Sequence, residues 1–63
     1  MRTLLYDYIL ADSTFRVVCL EENGNKRFFL EETMSDGTQV FATYLFERAA
    51  LRLITIFKRM TNN

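Results

Sequence analysis

Few side chains in this sequence can do chemistry, and their spacing keeps them apart. Glu21-Glu22 and Glu31-Glu32 are the closest carboxylate pairs. Two carboxylates flanking one substrate divide acid and base or nucleophile roles, as in glycoside hydrolysis. Neighbours along an extended chain project to opposite faces, so neither pair can share a substrate. Cys19 is the single cysteine and there is no His, which removes the usual general base and the usual imidazole metal ligand. No Cys-x-x-Cys, no Gly-rich phosphate cradle and no Ser in a nucleophile-elbow setting occurs. The expectation is a non-enzymatic protein with no catalytic residue, no metal and no cofactor. Cys19 reads as a small apolar core residue, and Tyr6, Tyr8 and Tyr44 as core or interface residues.

What remains is recognition chemistry. Arg48, Arg52 and Arg59 recur at i, i+4 and i+11, with Tyr44 and Leu51 on the same polar side. Solvated arginines whose stems cover apolar neighbours would look the same, but aromatic and Arg side chains are also the usual anchors of protein interfaces. Tyr44, Arg48, Leu51, Arg52 and Arg59 are therefore the candidate partner-binding set.

A helix over 44–60 must position them. Leu45, Phe46, Ala49, Ala50, Leu53, Ile54, Ile56, Phe57 and Met60 fall in one arc of roughly 180°, wider than a surface helix needs. Thr43 is the expected N-cap, Glu47 sits near the positive end of the helix dipole, and Lys58 and Arg59 near the negative end.

The rest of the chain reads as strands over 3–10, 14–21, 26–34 and 38–42. Asn23-Gly24 predicts a two-residue type I′ hairpin, pairing Glu21 with Lys26, Cys19 with Phe28, Val18 with Phe29, Val17 with Leu30 and Arg16 with Glu31. An Asp12-Ser13 turn pairs Leu10 with Phe15, Tyr8 with Val17 and Tyr6 with Cys19. Together these place Leu4, Tyr6, Tyr8, Leu10, Phe15, Val17, Cys19, Phe28 and Leu30 on the face that the helix covers. Asp36-Gly37 marks a third turn, whose two-residue and three-residue forms put Val40 and Phe41 on opposite faces. The expected fold is α+β: a four-stranded antiparallel meander, ββββα, with one C-terminal amphipathic helix on one face, forming a single domain over 1–63.

One helix covers one face. The other would hold Leu5, Asp7, Ile9, Arg16, Val18, Leu20, Arg27, Phe29 and Glu31, an apolar patch that Asp7, Arg16 and Glu31 mask only in part. A chain of 63 residues also has a thin stability margin, and its lone cysteine and missing histidines exclude the disulfide and zinc staples. Self-association is the remaining remedy. Leu5, Ile9, Val18, Leu20 and Phe29 are the expected homo-oligomer interface, most simply a dimer.

Net charge is zero, but residues 44–63 carry four bases and one acid, giving +3, against four bases and seven acids in residues 1–43, giving −3. An acidic sheet is a poor ligand for a phosphate backbone, so nucleic-acid binding through the basic helix flank is the secondary expectation. The apolar runs are shorter than the ~18 residues of a membrane span and Asp7 interrupts any leader, which leads to a cytoplasmic expectation. A short chain of this kind, starting at Met1, is expected to be a small regulator or inhibitor of a larger protein, of the sort that phages direct against host proteins. The acidic positions Glu21, Glu22, Glu31, Glu32 and Asp36 offer a further possibility, imitation of nucleic acid before a basic groove.

Overall fold

Turn chemistry sets the centre of the sheet. In the computed structural model, which describes residues 1–61, Asn23 (φ 53°) and Gly24 (φ 80°) both take the positive φ that a two-residue type I′ turn requires. They join β2 (Ser13–Glu22) to β3 (Asn25–Met34). The pairing runs without interruption from Glu22 with Asn25 to Ser13 with Met34, in the expected register. Asn62 and Asn63, part of the expected domain, lie outside the described residues.

The first hairpin closes differently. Between β1 (Arg2–Ile9) and β2, the Leu10 N–H donates to the Ser13 carbonyl at 2.8 Å, so the loop is Ala11-Asp12, one residue earlier than expected. Asp12 is held there by a tertiary bond, its carbonyl accepting the Ser35 N–H at 3.0 Å. Every partner moves by two: Tyr8 pairs with Phe15 and Tyr6 with Val17. A shift of two preserves the faces, so Tyr6 and Tyr8 still point beneath the helix. A bulge then breaks the ladder, with Leu4 opposite Val18 and Tyr6 opposite Val17, leaving Leu5 as the extra residue. Leu4 is thereby turned to the uncovered face, a correction to its expected place.

The third turn takes its three-residue form. Gly37 (φ 93°) donates to the Met34 carbonyl at 3.0 Å, and Met34 N–H donates to Thr38 O at 2.8 Å. Asp36 Oδ1 accepts the Thr38 N–H at 2.8 Å, an Asx contact that holds its carboxyl below the ordinary carboxylate range. A second irregularity leaves Val40 unpaired between Gln39 and Phe41 in β4 (Gln39–Leu45). Phe41, Thr43 and Leu45 consequently share the helix face with Glu32, Leu30 and Phe28, while Ala42 and Tyr44 face the other way beside Glu31 and Phe29.

The strand outlasts expectation and the helix starts later: α1 spans Glu47–Thr61. Tyr44 and Leu45 gain ladder partners in Phe29 and Phe28, and the Phe29 and Tyr44 rings meet at 4.8 Å in a tilted contact, which outweighs their membership of a helical period. The capping position falls to Phe46, whose carbonyl accepts the Ala50 N–H at 3.0 Å, not to Thr43. Phe46 has no side-chain oxygen to satisfy the first-turn donors.

The four strands form one antiparallel sheet in sequence order with α1 packed on one face, an α+β ββββα unit. The core is Val17, Cys19, Phe28, Ala50 and Phe57, ringed by Tyr6, Tyr8, Phe15, Leu30, Leu45, Leu53 and Ile54. Phe57 anchors the helix over the first two strands, stacking on Tyr8 at 5.1 Å and meeting Tyr6 at 6.5 Å and Phe15 at 6.2 Å. The helix leaves the end of β4, and Thr61 finishes beside Tyr6–Ile9 of β1, so it crosses the sheet toward that side. The molecule is a slab of 37 × 27 × 15 Å with a Cα radius of gyration of 12.0 Å, against about 10.6 Å for a compact chain of this length.

Candidate interaction surfaces

The face away from the helix is more closed than its residue types suggest. Arg2, opposite Leu20 on β1, reaches across β2 to Glu31 on β3, its guanidinium donating to both carboxylate oxygens at 2.7 and 3.1 Å. This diagonal passes over Val18, which lies between Leu4 and Phe29 in the register and is 1% exposed. The hydrogen bonds from Arg2 hold the Glu31 carboxyl below its ordinary range, and Glu31 raises Arg2 in turn. Arg16 spends its guanidinium on the Thr33 hydroxyl. The expected salt-linked cluster of Asp7, Arg16 and Glu31 does not form: among the described residues the ion-pair partner of Glu31 is Arg2, not Arg16.

Of the expected oligomer set, Val18 is sealed within the monomer, Leu20 and Phe29 are half-buried, and Leu5 and Ile9 are exposed. Leu5 stands at the bulge and Ile9 at the strand end, so these residues do not make one open patch. Leu4 and Tyr44, neither expected on this face, are half or more exposed on it.

The helix has the opposite character. Its apolar arc is wider than the sheet covers: Ala50 and Phe57 are buried, whereas Phe46, Ile56 and Met60 remain exposed. Lys58 leans over the Tyr6 ring at 5.9 Å on the β1 side. On the flank turned away from β1, Phe46, Ala49, Leu53 and Ile56 line an open groove of about 590 Å³ with Arg48 and Arg52 along its rim. Of the expected partner-binding set, Arg48 and Arg52 come together here. Leu51 and Arg59 do not line the groove, and Tyr44 is a strand residue on the far face of the sheet.

Phe46 takes the place assigned to Tyr44. At 88% exposed it is the most open aromatic side chain described, and the helical period alone hides it among core residues. Its position just before Glu47, with no polar capping residue, is the signal that would have found it. Between Phe46 and the sheet, Lys26 and Arg27 with Phe28, Tyr44 and Leu45 line a smaller depression, so cations border the aromatic end of β4 on both sides.

The groups with catalytic potential stay apart. Cys19 is buried between Thr3 and Phe28 in the ladder. Glu31 faces Arg2, while Glu32 lies on the helix face between Phe15 and Phe41. Glu21 and Glu22 end β2 just before the hairpin turn, both exposed. Among the described residues no three His, Cys, Asp or Glu side chains gather as a metal site would need, and no helix is long and apolar enough to cross a membrane.

The sheet ends in two open edges. β1 carries Arg2 and Asp7 and the bulge at Leu5. From Gln39 to Phe46 the β4 edge has no charge, no Gly and no Pro, and every residue of β4 but Leu45 is exposed. Comparison of the chain with protein-family models, curated proteins and solved structures finds no match.

Proposed function

We propose that this chain is a non-enzymatic, self-associating protein-binding module, a small regulator or inhibitor that works by occupying a surface of a larger protein. One observation carries the reading: the arginine-rimmed apolar groove of Phe46, Ala49, Leu53 and Ile56 with Arg48 and Arg52. An apolar floor with guanidinium groups at its margin suits a protein segment that presents an apolar side chain flanked by carboxylates, because burial supplies affinity and the arginines orient the acidic groups. The scattered carboxylates and the buried thiol support the non-enzymatic part. Such a module, built from a chain of 63 residues, acts in the cytoplasm on a host protein if it is phage-encoded.

The test is in-cell cross-linking of the wild type beside Ile56→Asp, at a position that lines the groove and lies outside β4, and Arg52→Glu. One predominant protein partner, captured by the wild type and lost with both variants, is the expected result. Co-purification of nuclease-sensitive nucleic acid, released steeply by salt, would replace the reading with the Arg48, Arg52 and Arg59 flank acting on phosphates.

A further inference from the structure

We infer that the β4 edge is a pairing site for a second copy of this chain, joining two four-stranded sheets into one continuous antiparallel sheet. This deepens the self-association part of the function proposed above and rests on it. An edge strand presents a row of unpaired N–H and C=O groups, and soluble proteins blunt such rows with charges, bulges or a covering element. β1 has the first two. β4 has a bulge only at Val40, near its start, and from Phe41 to Leu45 its ladder with β3 is regular, so its outer side offers an even backbone to a partner.

An antiparallel edge is complementary to itself under a two-fold rotation, provided that no like charges meet at the axis. Residues 39–46, Gln-Val-Phe-Ala-Thr-Tyr-Leu-Phe, contain none. A register centred on Thr43 sets large beside small: Tyr44 opposite Ala42 of the second copy, and Phe46 beside its Val40. Phe41 then meets Leu45 on the helix face. Phe46, Tyr44 and Phe41 are 88%, 68% and 38% exposed; at about 200 Å² for an aromatic side chain, covering them removes roughly 400 Å² per protomer. Val40 at 51% exposed and the strand backbone extend this toward the ~800 Å² per partner of a stable interface. The charged, bulged β1 edges are left at the outer ends, so assembly stops at two.

The uncovered sheet face is the rival position for a second copy, but its central Val18 is already buried within the monomer and the Arg2–Glu31 bridge spans the strands on either side of it. The β4 end has no such cover.

Sedimentation and amide hydrogen exchange test the inference on the whole chain. The wild type should sediment at twice its 7.5 kDa, with β4 amides that lose protection on dilution while β2 amides keep theirs. Thr43→Lys, which sets two lysines face to face at the axis, should weaken dimerisation by about 100-fold, and Leu51→Asp should leave it unchanged. If Thr43→Lys does not fold, the dilution-dependent exchange of wild-type β4 decides alone. A wild type that is monomeric at millimolar concentration overturns the inference. A dimer that survives Thr43→Lys and dissociates with Phe29→Asp also overturns it, assigning the contact to the uncovered face. A monomeric Thr43→Lys that still captures a partner through Arg52 leaves the binding function standing by itself, whereas a dimeric wild type that captures none removes the binding function and leaves the edge pairing.

Discussion

The two edges of the sheet solve the same problem by different means. β1 is short of neither apolar residues nor exposure, yet Arg2, Asp7 and the extra Leu5 interrupt it, and Phe57 pins the helix above it through Tyr6 and Tyr8. β4 receives no such treatment: the helix departs from its end toward β1, and the strand is left uncharged and exposed. In a chain this small, one helix can close one side of one face. The side it abandons is where association has most to gain, since a bare neutral edge is otherwise an invitation to unselective pairing.

The largest effect should come from loosening the covered side. Phe57→Ala removes the ring that Tyr6, Tyr8 and Phe15 surround and should cost about 3–5 kcal/mol, enough to unfold most of a marginal domain in circular dichroism; a near-normal urea midpoint would show that the helix is held elsewhere. Next in size is an attempt to erase the contrast. Deleting Leu5 would make the β1 ladder continuous, because Leu4 and Tyr6 already pair with the consecutive residues Val18 and Val17. The smoothed edge should let dimers join into larger species that scatter light, and an unchanged mass would deny the bulge any protective part.

Phe46→Asp should divide stability from assembly. Aspartate at the capping position supplies the oxygen that Phe46 lacks and should raise unfolding free energy by about 1 kcal/mol, while dimer dissociation rises about tenfold or more as a charge enters an apolar seam. A large loss of monomer stability would mean that Phe46 packs within its own chain. The smallest effect belongs to the sealed face. Arg2→Ala should cost ~0.5 kcal/mol at neutral pH, since the Arg2 side chain is 57% exposed and solvent screens the bridge. The folded Glu31 carboxyl is held below its ordinary value of 4.5. The stability contributed by the bridge is therefore complete above that value and disappears as pH falls through the lower folded value. Wild type and Arg2→Ala should show different urea midpoints near neutrality and the same midpoint in strong acid.

How far the sequence could be read depended on whether a signal was local. Asn23-Gly24 places two adjacent residues at positive φ, and from that turn the whole β2–β3 register follows, including Cys19 with Phe28 and Arg16 with Glu31. The ββββα order and the faces of Tyr6, Tyr8, Phe15, Val17 and Leu30 followed as well. Tyr6 and Tyr8 kept their face through a wrong turn position only because the error was an even number of residues. Leu4 did not, because a bulge is an odd insertion and nothing in Leu4-Leu5 announces one. The surface suffered most. Tyr44 and Phe46 were read by helical period, yet one is a ladder partner of Phe29 and the other an exposed capping residue. The arginines Arg48 and Arg52 were legible as a pair because a helix repeats whatever its exact start.

The chain by itself determined its element order, its central hairpin and the apolar stripe of its helix, since turn dihedrals and periodicity are properties of neighbouring residues. Only the tertiary structure decided where the ladders slip, where β4 yields to α1, and which half of the helix stripe stays uncovered. These outcomes depend on contacts between residues distant in sequence, such as Asp12 with Ser35, Phe29 with Tyr44 and Arg2 with Glu31. Such contacts compete with local preference at similar energies, and folding settles them together.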